Sequence, residues 1–261
     1  MQERHKDRKM YFDEQAYTTQ KYVIPFIECS RPVNSDSKIL EIGCGEGGNL
    51  KPFMDLGCQC VGIDLNKQQI ENAKEYFSTH SNHAKLELIS SDIYDINNPD
   101  FRFDVIILRD VIEHIHEQER FMAFVKQFLL LDGVVFFAFP PWYMPFGGHQ
   151  QICQSKISKI PYIHILPRTW YAALLKSFGE TVGNIEGLLE IKETGITLDR
   201  FERILKRESY SILKKELYFI NPNYEIKFKL RPRKMFPVID SIPFIRNFYT
   251  TAGYYLVQVI K

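Results

Sequence analysis

Two acids and a cluster of glycines between residues 39 and 64 are the first residues whose types suggest chemistry. The stretch reads Ile39-Leu40-Glu41-Ile42-Gly43-Cys44-Gly45-Glu46-Gly47-Gly48 and, after a second apolar run, closes on Asp64. Glycines at 43, 45 and 48 permit a tight turn and let a ligand approach backbone where a Cβ would collide. Asp64, at the end of the second apolar run, can accept hydrogen bonds from both hydroxyls of a ribose. Strand, glycine turn, helix, strand, acid is the layout of a nucleotide-binding βαβ unit, so an adenosine-containing cofactor is expected. Glu41 lies two positions before the first glycine and therefore shares a strand face with the turn. Its carboxylate would repel a pyrophosphate, which prefers bare amide donors. It suits a cationic ligand that carries an amino acid moiety.

Further along, Asp110-x-x-Glu113-His114 spaces two carboxylates and an imidazole at offsets of three and four. On a helical turn these would share one face and could hold a magnesium or similar cation. The alternative is a structural role for Glu113 and His114. His149, within Gly147-Gly148-His149-Gln150, and His164 lie in a later loop, where a histidine could deprotonate a hydroxyl or bind a polar group of a substrate. His149 is the candidate catalytic base. Tyr143 and Trp142 are candidate walls of an acceptor pocket, or simply packing. Phe139-Pro140-Pro141-Trp142 is superficially similar to the Asn/Asp-Pro-Pro-aromatic motif of amino-group nucleic-acid methyltransferases, but it begins with Phe and follows strand 5 where that family has the motif after strand 4, so that reading is rejected.

Alternating elements must position these residues. Lys67 to Phe77 reads as a helix with Ile70, Ala73, Lys74 and Phe77 along one side. Leu86 to Ile89 is a strand, and Asp104 to Leu108 is a continuously apolar strand buried on both faces. Glu117 to Leu130 is expected to be a helix with Phe121, Phe124, Val125 and Phe128 inward. Asp132-Gly133 turns into a strand over Val134 to Ala138. The regularity predicts a parallel sheet with helices on both faces, its ligands beyond the carboxyl ends of the strands near Gly43, Asp64, Asp92 and Arg109. The 139–166 stretch, with Pro140, Pro141, Pro145 and Pro161, has no period and reads as a functional loop or lid. Arg168 to Phe178 and Thr197 to Arg207 read as helices. Tyr224 to Leu230 alternates as a half-buried strand does, and Tyr254 to Ile260 reads as a last strand.

The E-x-G-C-G-x-G pattern with Asp64 resembles motif I of the class I S-adenosylmethionine-dependent methyltransferases. Ser91-Asp92-Ile93 is similar to the family segment whose acid bonds the adenine amino group while the next amide meets a ring nitrogen. Phe103 to Leu108 with Arg109 to His114 is similar to the strand 4 motif, and Leu129 to Val134 to the turn before strand 5. The resemblance runs from about 36 to 140. It implies a Rossmann-like, seven-stranded, mostly parallel sheet with helices on both faces. One methyltransferase domain then spans 1–261, with a cofactor-binding core over 36–140, a lid loop over 139–166 and a cap insertion over about 187–250. It implies S-adenosyl-L-methionine as cofactor: Glu41 toward the ammonium, Gly43, Cys44, Gly45 and Gly48 under the sulfonium, Asp64 and Leu65 at the ribose, Asp92 and Ile93 at the adenine, and Arg109 near the methionine part. The implied reaction is methylation of a small-molecule acceptor, on oxygen before nitrogen or carbon. Some quinone-biosynthesis O-methyltransferases and the small-RNA 2′-O-methyltransferases are similar at Asp110, Glu113 and His114, which implies Mg2+ or a similar ion there. Their first acid is usually Glu where this chain has Asp110.

Composition bounds the remainder. The chain has 261 residues, 45% hydrophobic and 25% charged, with a formal net charge of +1. That balance suits a globular enzyme and argues against a nucleic-acid partner. Five cysteines without a paired C-x-x-C framework point to a reducing compartment. Mixed charges over Glu3 to Arg8 give no signal peptide, and no apolar run approaches spanning length, so a cytoplasmic location is expected. Lys227, Lys229, Arg231 and Arg233 form a basic stripe beside Met235, Phe236, Ile242, Phe244 and Ile245. It is expected to be a solvated strand face followed by a loop pinned to the core. Peripheral contact with a membrane or a lipid-bearing substrate is the alternative. Two rival functions remain at this level: an NAD-dependent oxidoreductase, which Glu41 opposes, and a non-catalytic protein that binds S-adenosylmethionine.

Overall fold

The structure, a computed structural model, describes residues 7–260; the charged residues 1–6 noted above lie outside the described residues. Helix α1 (Arg8–Thr18) runs through a π turn (Thr19–Val23) into α2 (Ile24–Glu28). The βα alternation then begins: β1 (Lys38–Ile42), α3 (Lys51–Asp55), β2 (Gln59–Asp64), α4 (Lys67–Phe77), β3 (Leu86–Ser90) and β4 (Phe103–Arg109). After α5 (Gln118–Val125) come β5 (Leu129–Phe139), α6 (Arg168–Ser177), α7 (Val182–Thr194), α8 (Leu198–Arg207), β6 (Tyr210–Ile220), α9 (Asn223–Phe228), β7 (Arg233–Lys234) and β8 (Ala252–Val259).

The strands form one sheet in the order β3-β2-β1-β4-β5-β8-β6-β7. The pairs from β3 to β5 are parallel, and β8 lies antiparallel to both β5 and β6. This is the doubly covered α/β sheet expected from sequence, with eight strands in place of seven, the eighth being the two-residue edge strand β7. Strand alternation divides the interior into two layers. Leu40, Ile42, Ile106, Leu108, Val135 and Phe137 pack against α5 and α8. Ile39, Val105, Ile107, Val134 and Phe136 pack against the N-terminal helices, α3 and α4. Glu41 and Arg109 fall in the odd-numbered series, so they face the N-terminal helices.

Several boundaries differ from the sequence reading, each for a local reason. The helix expected over Glu117–Leu130 ends at Val125, gives one 3₁₀ turn, and yields to β5 at Leu129. Leu129 pairs with Phe103, with a register shift before Val105 meets Val134, so the apolar 129–131 run extends the strand instead of the helix. Tyr224–Leu230, read as a strand, is helix α9 up to Phe228, closed by Lys229 in a left-handed conformation (φ 59°). The Asn221-Pro222-Asn223 start turns the chain, and Asn221 Oδ1 accepts from the Asn223 amide. The strand at this point of the fold is β6, whose alternation is hidden by a register shift between Ile212 and Lys214. Consequently the 187–250 stretch expected as a cap places β6 and β7 in the sheet itself.

The 139–166 loop is folded. Its 3₁₀ turns pack with α6 and α7 into a third small core of Cys153, Ile157, Ile163, Tyr171, Leu175, Leu188 and Leu189. Gly148 is required there because a Cβ would strike the His164 ring, and Gly195 because one would strike the Trp142 indole.

Candidate functional site

The strand ends β1, β2 and β4 converge on the glycine turn. Gly43, Gly45 and Gly47 all adopt left-handed backbone (φ 72°, 54° and 78°), which only glycine accepts without strain. Gly47 was not singled out from sequence. Gly48 has an ordinary φ and a different reason to be glycine: its Cβ would lie 2.5 Å from the Phe12 carbonyl of α1. Four of the turn's amides are already engaged. Gly43 and Cys44 donate to the Ile63 carbonyl at 2.8 and 3.0 Å, Gly47 donates to Cys44, and Gly45 donates to Asp64 Oδ2 at 2.8 Å.

Behind the turn lies a buried polar network. Asn49 Nδ2 donates to Glu41 Oε1 at 2.6 Å, and Asn49 Oδ1 accepts from Arg109 Nη1 at 2.6 Å and from Thr19 Oγ1 at 2.8 Å. Glu41 Oε2 is buried with no hydrogen-bond partner among the described residues. Burial pushes the Glu41 carboxyl up to about 8, against the lowering influence of Asn49 and of the Arg109 charge. An orphaned, desolvated carboxyl oxygen is a strong site for a cationic donor. Arg109 itself reaches Asn49 and Thr19 and lines neither of the clefts described below. The N-terminal helix seals this side: Arg8 forks onto buried Glu46 at 2.6 and 2.5 Å, and Phe12 packs edge-on against Tyr76 and Phe77.

Two clefts open at the carboxyl end of the sheet. The first, about 490 Å³, is lined by Gly43, Asp64, Leu65, Asp92, Ile93 and the Tyr94–Arg120–Phe121 wall. Asp64 Oδ1 accepts from Asn66 N, and Asp92 Oδ1 accepts from Tyr94 N, so both carboxylates are held in place. The Arg120 guanidinium lies over the Tyr94 ring, 5.3 Å from its centroid. Tyr94, Arg120 and Phe121 were missed from sequence, because aromatic and basic residues on separate elements carry no shared spacing. The second cleft, about 350 Å³, is lined by Tyr11, His149, Asn221, Asn223, Tyr224 and Lys227 among others. Asp110 and His114 line both clefts. Tyr11 comes from a segment the sequence reading did not single out, and Tyr224 and Lys227 from one read as a half-buried strand that is helix α9. A third cleft, beside Lys38, Gln59 and Asp100, lies at the opposite ends of the strands and contains none of the candidate residues.

The acid-x-x-Glu-His segment does not form the helical turn expected. Asp110 takes a left-handed φ of 56°, its amide donating to the Ala138 carbonyl, and only Ile112–His114 make a 3₁₀ turn. The ligand-type atoms brought within 4.8 Å of one another are those of Glu113, His114 and His149, so His149 stands where Asp110 was expected. The His114 and His149 rings meet edge to face at 4.9 Å. Both Glu113 oxygens are buried without a hydrogen-bond partner, and burial with the nearby Asp110 charge pushes its carboxyl well up. Burial lowers the His114 imidazole. One carboxylate and two imidazoles are a poor match for magnesium, which takes oxygen ligands, and a better one for a nitrogen-preferring divalent ion.

His164 and Tyr143 line neither cleft. His164 is fully buried, its Nε2 is 2.7 Å from the Trp142 carbonyl, and burial lowers it to about 4. It braces the lid. Tyr143 stacks on Phe248 and meets Phe244 on the outer side of that loop.

Comparison with known proteins agrees with this geometry. The family model of the methyltransferase domain matches residues 40–137. The ubiquinone biosynthesis O-methyltransferase of Pelagibacter ubique is 34% identical over 106 residues, covering 39% of this chain and 41% of that protein. Its Rickettsia typhi counterpart is 30% identical over 114 residues, 44% of this chain and 45% of that protein. The matched stretch thus spans less than half of these relatives. Among solved structures, a S-adenosylmethionine-dependent methyltransferase from Clostridium acetobutylicum superposes with a TM-score of 0.59 at 13% identity, covering 94% of this chain and 92% of that one. PKMT2 from Rickettsia typhi, in complex with AdoHcy, gives 0.56 at 18% identity, covering 92% and 53%. Residues 40–137 thus match the methyltransferase domain family, and the chain as a whole shares the fold of these S-adenosylmethionine-dependent methyltransferase structures. Its sequence likeness to these ubiquinone biosynthesis O-methyltransferases extends over 39% and 44% of the chain.

Proposed function

We propose that this protein transfers the methyl group of S-adenosylmethionine to a hydroxyl of a small-molecule acceptor. The observation that carries the reading is the meeting of the two clefts at Asp110 and His114. The first cleft has the acids for an adenosine, and the orphaned Glu41 oxygen beside it suits the methionine ammonium. The Gly43, Cys44 and Gly45 amides, spent on Ile63 and Asp64, are not open to a pyrophosphate, which counts against a nicotinamide dinucleotide. A second cleft opening onto the same junction counts against a protein that only binds the cofactor.

The sulfonium is already a good leaving group, so catalysis is in-line positioning and exclusion of water. The acceptor oxygen attacks the methyl carbon, the carbon–sulfur bond breaks, and S-adenosylhomocysteine departs. The hydroxyl proton goes to the His149 imidazole, with His114, kept neutral by burial, beside it. Tyr11, Asn221, Asn223 and Tyr224 would orient the acceptor. Alternatively, Glu113, His114 and His149 would hold a divalent ion such as manganese or zinc, which would polarise the acceptor hydroxyl in place of the His149 base. The location proposed is the cytoplasm, in keeping with five unbridged cysteines. No helix among the described residues is long and apolar enough to cross a membrane.

Calorimetric titration with S-adenosylhomocysteine and with NAD tests the cofactor. Micromolar binding of the first and none of the second is expected; preference for NAD would overturn the assignment. Titration with manganese, zinc and magnesium of the protein and of His149→Ala tests the ion site.

A further inference from the structure

One exposed surface lies mostly outside both clefts: the segment leaving α9 and running through β7 to residue 238, with Met235 as its buried anchor. Residues 227–239 contain five cations, Lys227, Lys229, Arg231, Arg233 and Lys234, and no acid. Lys229, Arg231, Arg233 and Lys234 are exposed, and of these only Lys234 has an ion-pair partner among the described residues, Glu216. Large apolar side chains are exposed between and beyond them: Phe228, Leu230, Phe236 at 60% and Val238 at 73%.

The backbone that presents them is anchored. Met235 is buried and its amide donates to the Leu217 carbonyl at 2.7 Å, Ile239 packs against the core, and Asp240 pairs with Lys215. Phe236 and Val238 are therefore held outward between fixed points and are not free to fold back. Cations on an edge strand do block unwanted sheet extension. That role needs neither an exposed Phe236 nor an exposed Val238. Exposed Lys229, Arg231 and Arg233, without an ion-pair partner among the described residues and interleaved with outward-facing aromatic and aliphatic side chains, match a different solvent, the headgroup and acyl boundary of a bilayer that bears negative charge.

We propose that this segment docks the protein on an anionic phospholipid membrane, the cations meeting lipid phosphates and Leu230, Phe236 and Val238 entering the interface. Its first residues, Lys227 and Phe228, also line the second cleft. The docked protein therefore presents that cleft's rim to the membrane. A lipid-bearing acceptor could enter without leaving the bilayer, a consequence that rests on the methyl-transfer reading above; the docking itself does not.

The test is co-sedimentation of the full chain with vesicles of phosphatidylcholine alone and of phosphatidylcholine mixed with phosphatidylglycerol. Binding to the mixed vesicles only, weakened by salt, is expected. The triple variant Lys229→Glu, Arg231→Glu, Arg233→Glu should lose about 100-fold or more in partitioning, each basic residue near an anionic surface contributing about fivefold. The pair Phe236→Ser, Val238→Ser should lose about tenfold or more while keeping the salt dependence. All variants should bind S-adenosylhomocysteine as the parent does, which separates loss of docking from loss of fold or of the cofactor site. Binding to neither vesicle, equal binding to both, or undiminished binding by the triple variant would overturn the proposal.

Discussion

The two clefts are built in opposite ways. The cofactor cleft is framed by consecutive strand ends, and its acids are fixed by hydrogen bonds to the adjoining turns: Asp64 to Gly45 and Asn66, Asp92 to Tyr94. The second cleft, proposed above for the acceptor, is assembled from the N-terminal helix, the 139–166 loop and α9, segments remote from one another in sequence. Rigid framing keeps one ligand in one pose, and loops allow the partner's shape to vary. Substitutions in the first region should therefore act on cofactor affinity, and substitutions in the second on stability or acceptor turnover.

The largest effect is expected at Asp64. Asp64→Ala removes the ribose acceptor and the anchor of the Gly45 amide. It should weaken S-adenosylhomocysteine about 100-fold or more in calorimetry, since hydrogen bonds to a charged group are worth about 1.5–3 kcal/mol each. A change below tenfold would mean that the strand-end acid does not hold the nucleoside.

His164→Ala should cost about 2–3 kcal/mol of unfolding free energy in urea, because it empties a packed site and strands the Trp142 carbonyl. The comparison predicts unchanged cofactor affinity for it. A parallel loss of affinity would show that lid and cofactor cleft are one unit.

Glu41 offers a pH test. Its carboxyl, raised to about 8 in the empty site, must ionise to meet an ammonium, so binding releases a proton. Affinity should rise about tenfold per pH unit up to about 8 and then level. The sign for stability is opposite. A carboxyl with a folded pKa above its unfolded value is protonated preferentially in the fold, so its ionisation destabilises the empty protein increasingly from about 4.5 to about 8. Glu41→Gln should abolish the binding slope, weaken the ligand, and raise Tm by about 2–4 °C at neutral pH. Unchanged pH dependence in that variant would place the titrating group elsewhere.

The smallest effect tests the seam between the regions. Gly48→Ala sets a Cβ 2.5 Å from the Phe12 carbonyl and should lift α1 at a cost of about 1–3 kcal/mol. Faster amide exchange over Arg8–Thr18 and a severalfold loss of cofactor affinity are expected. Exchange confined to the glycine turn would contradict the packing role.

Sequence alone determined the cofactor half because its information is local. A glycine turn between two strands, with acids at fixed offsets, brings Glu41, Gly43 and Asp64 together whatever covers the sheet, since strand alternation and parallel pairing leave one arrangement. The same locality made the α/β architecture legible and let Asp92 and Ile93 be placed. Tertiary structure alone decided the rest. His149 reaches Glu113 and His114 across 35 residues of chain or more, through a folded lid whose own core has no period. That packing exchanged His149 for Asp110 and turned His164 inward. Tyr11, Asn221, Asn223 and Tyr224 meet only because α1 packs on α9 beyond the strand ends, Tyr17 and Tyr22 sharing Glu225. Such contacts depend on which surfaces are left to bury after the sheet has formed, and no spacing in the sequence records them.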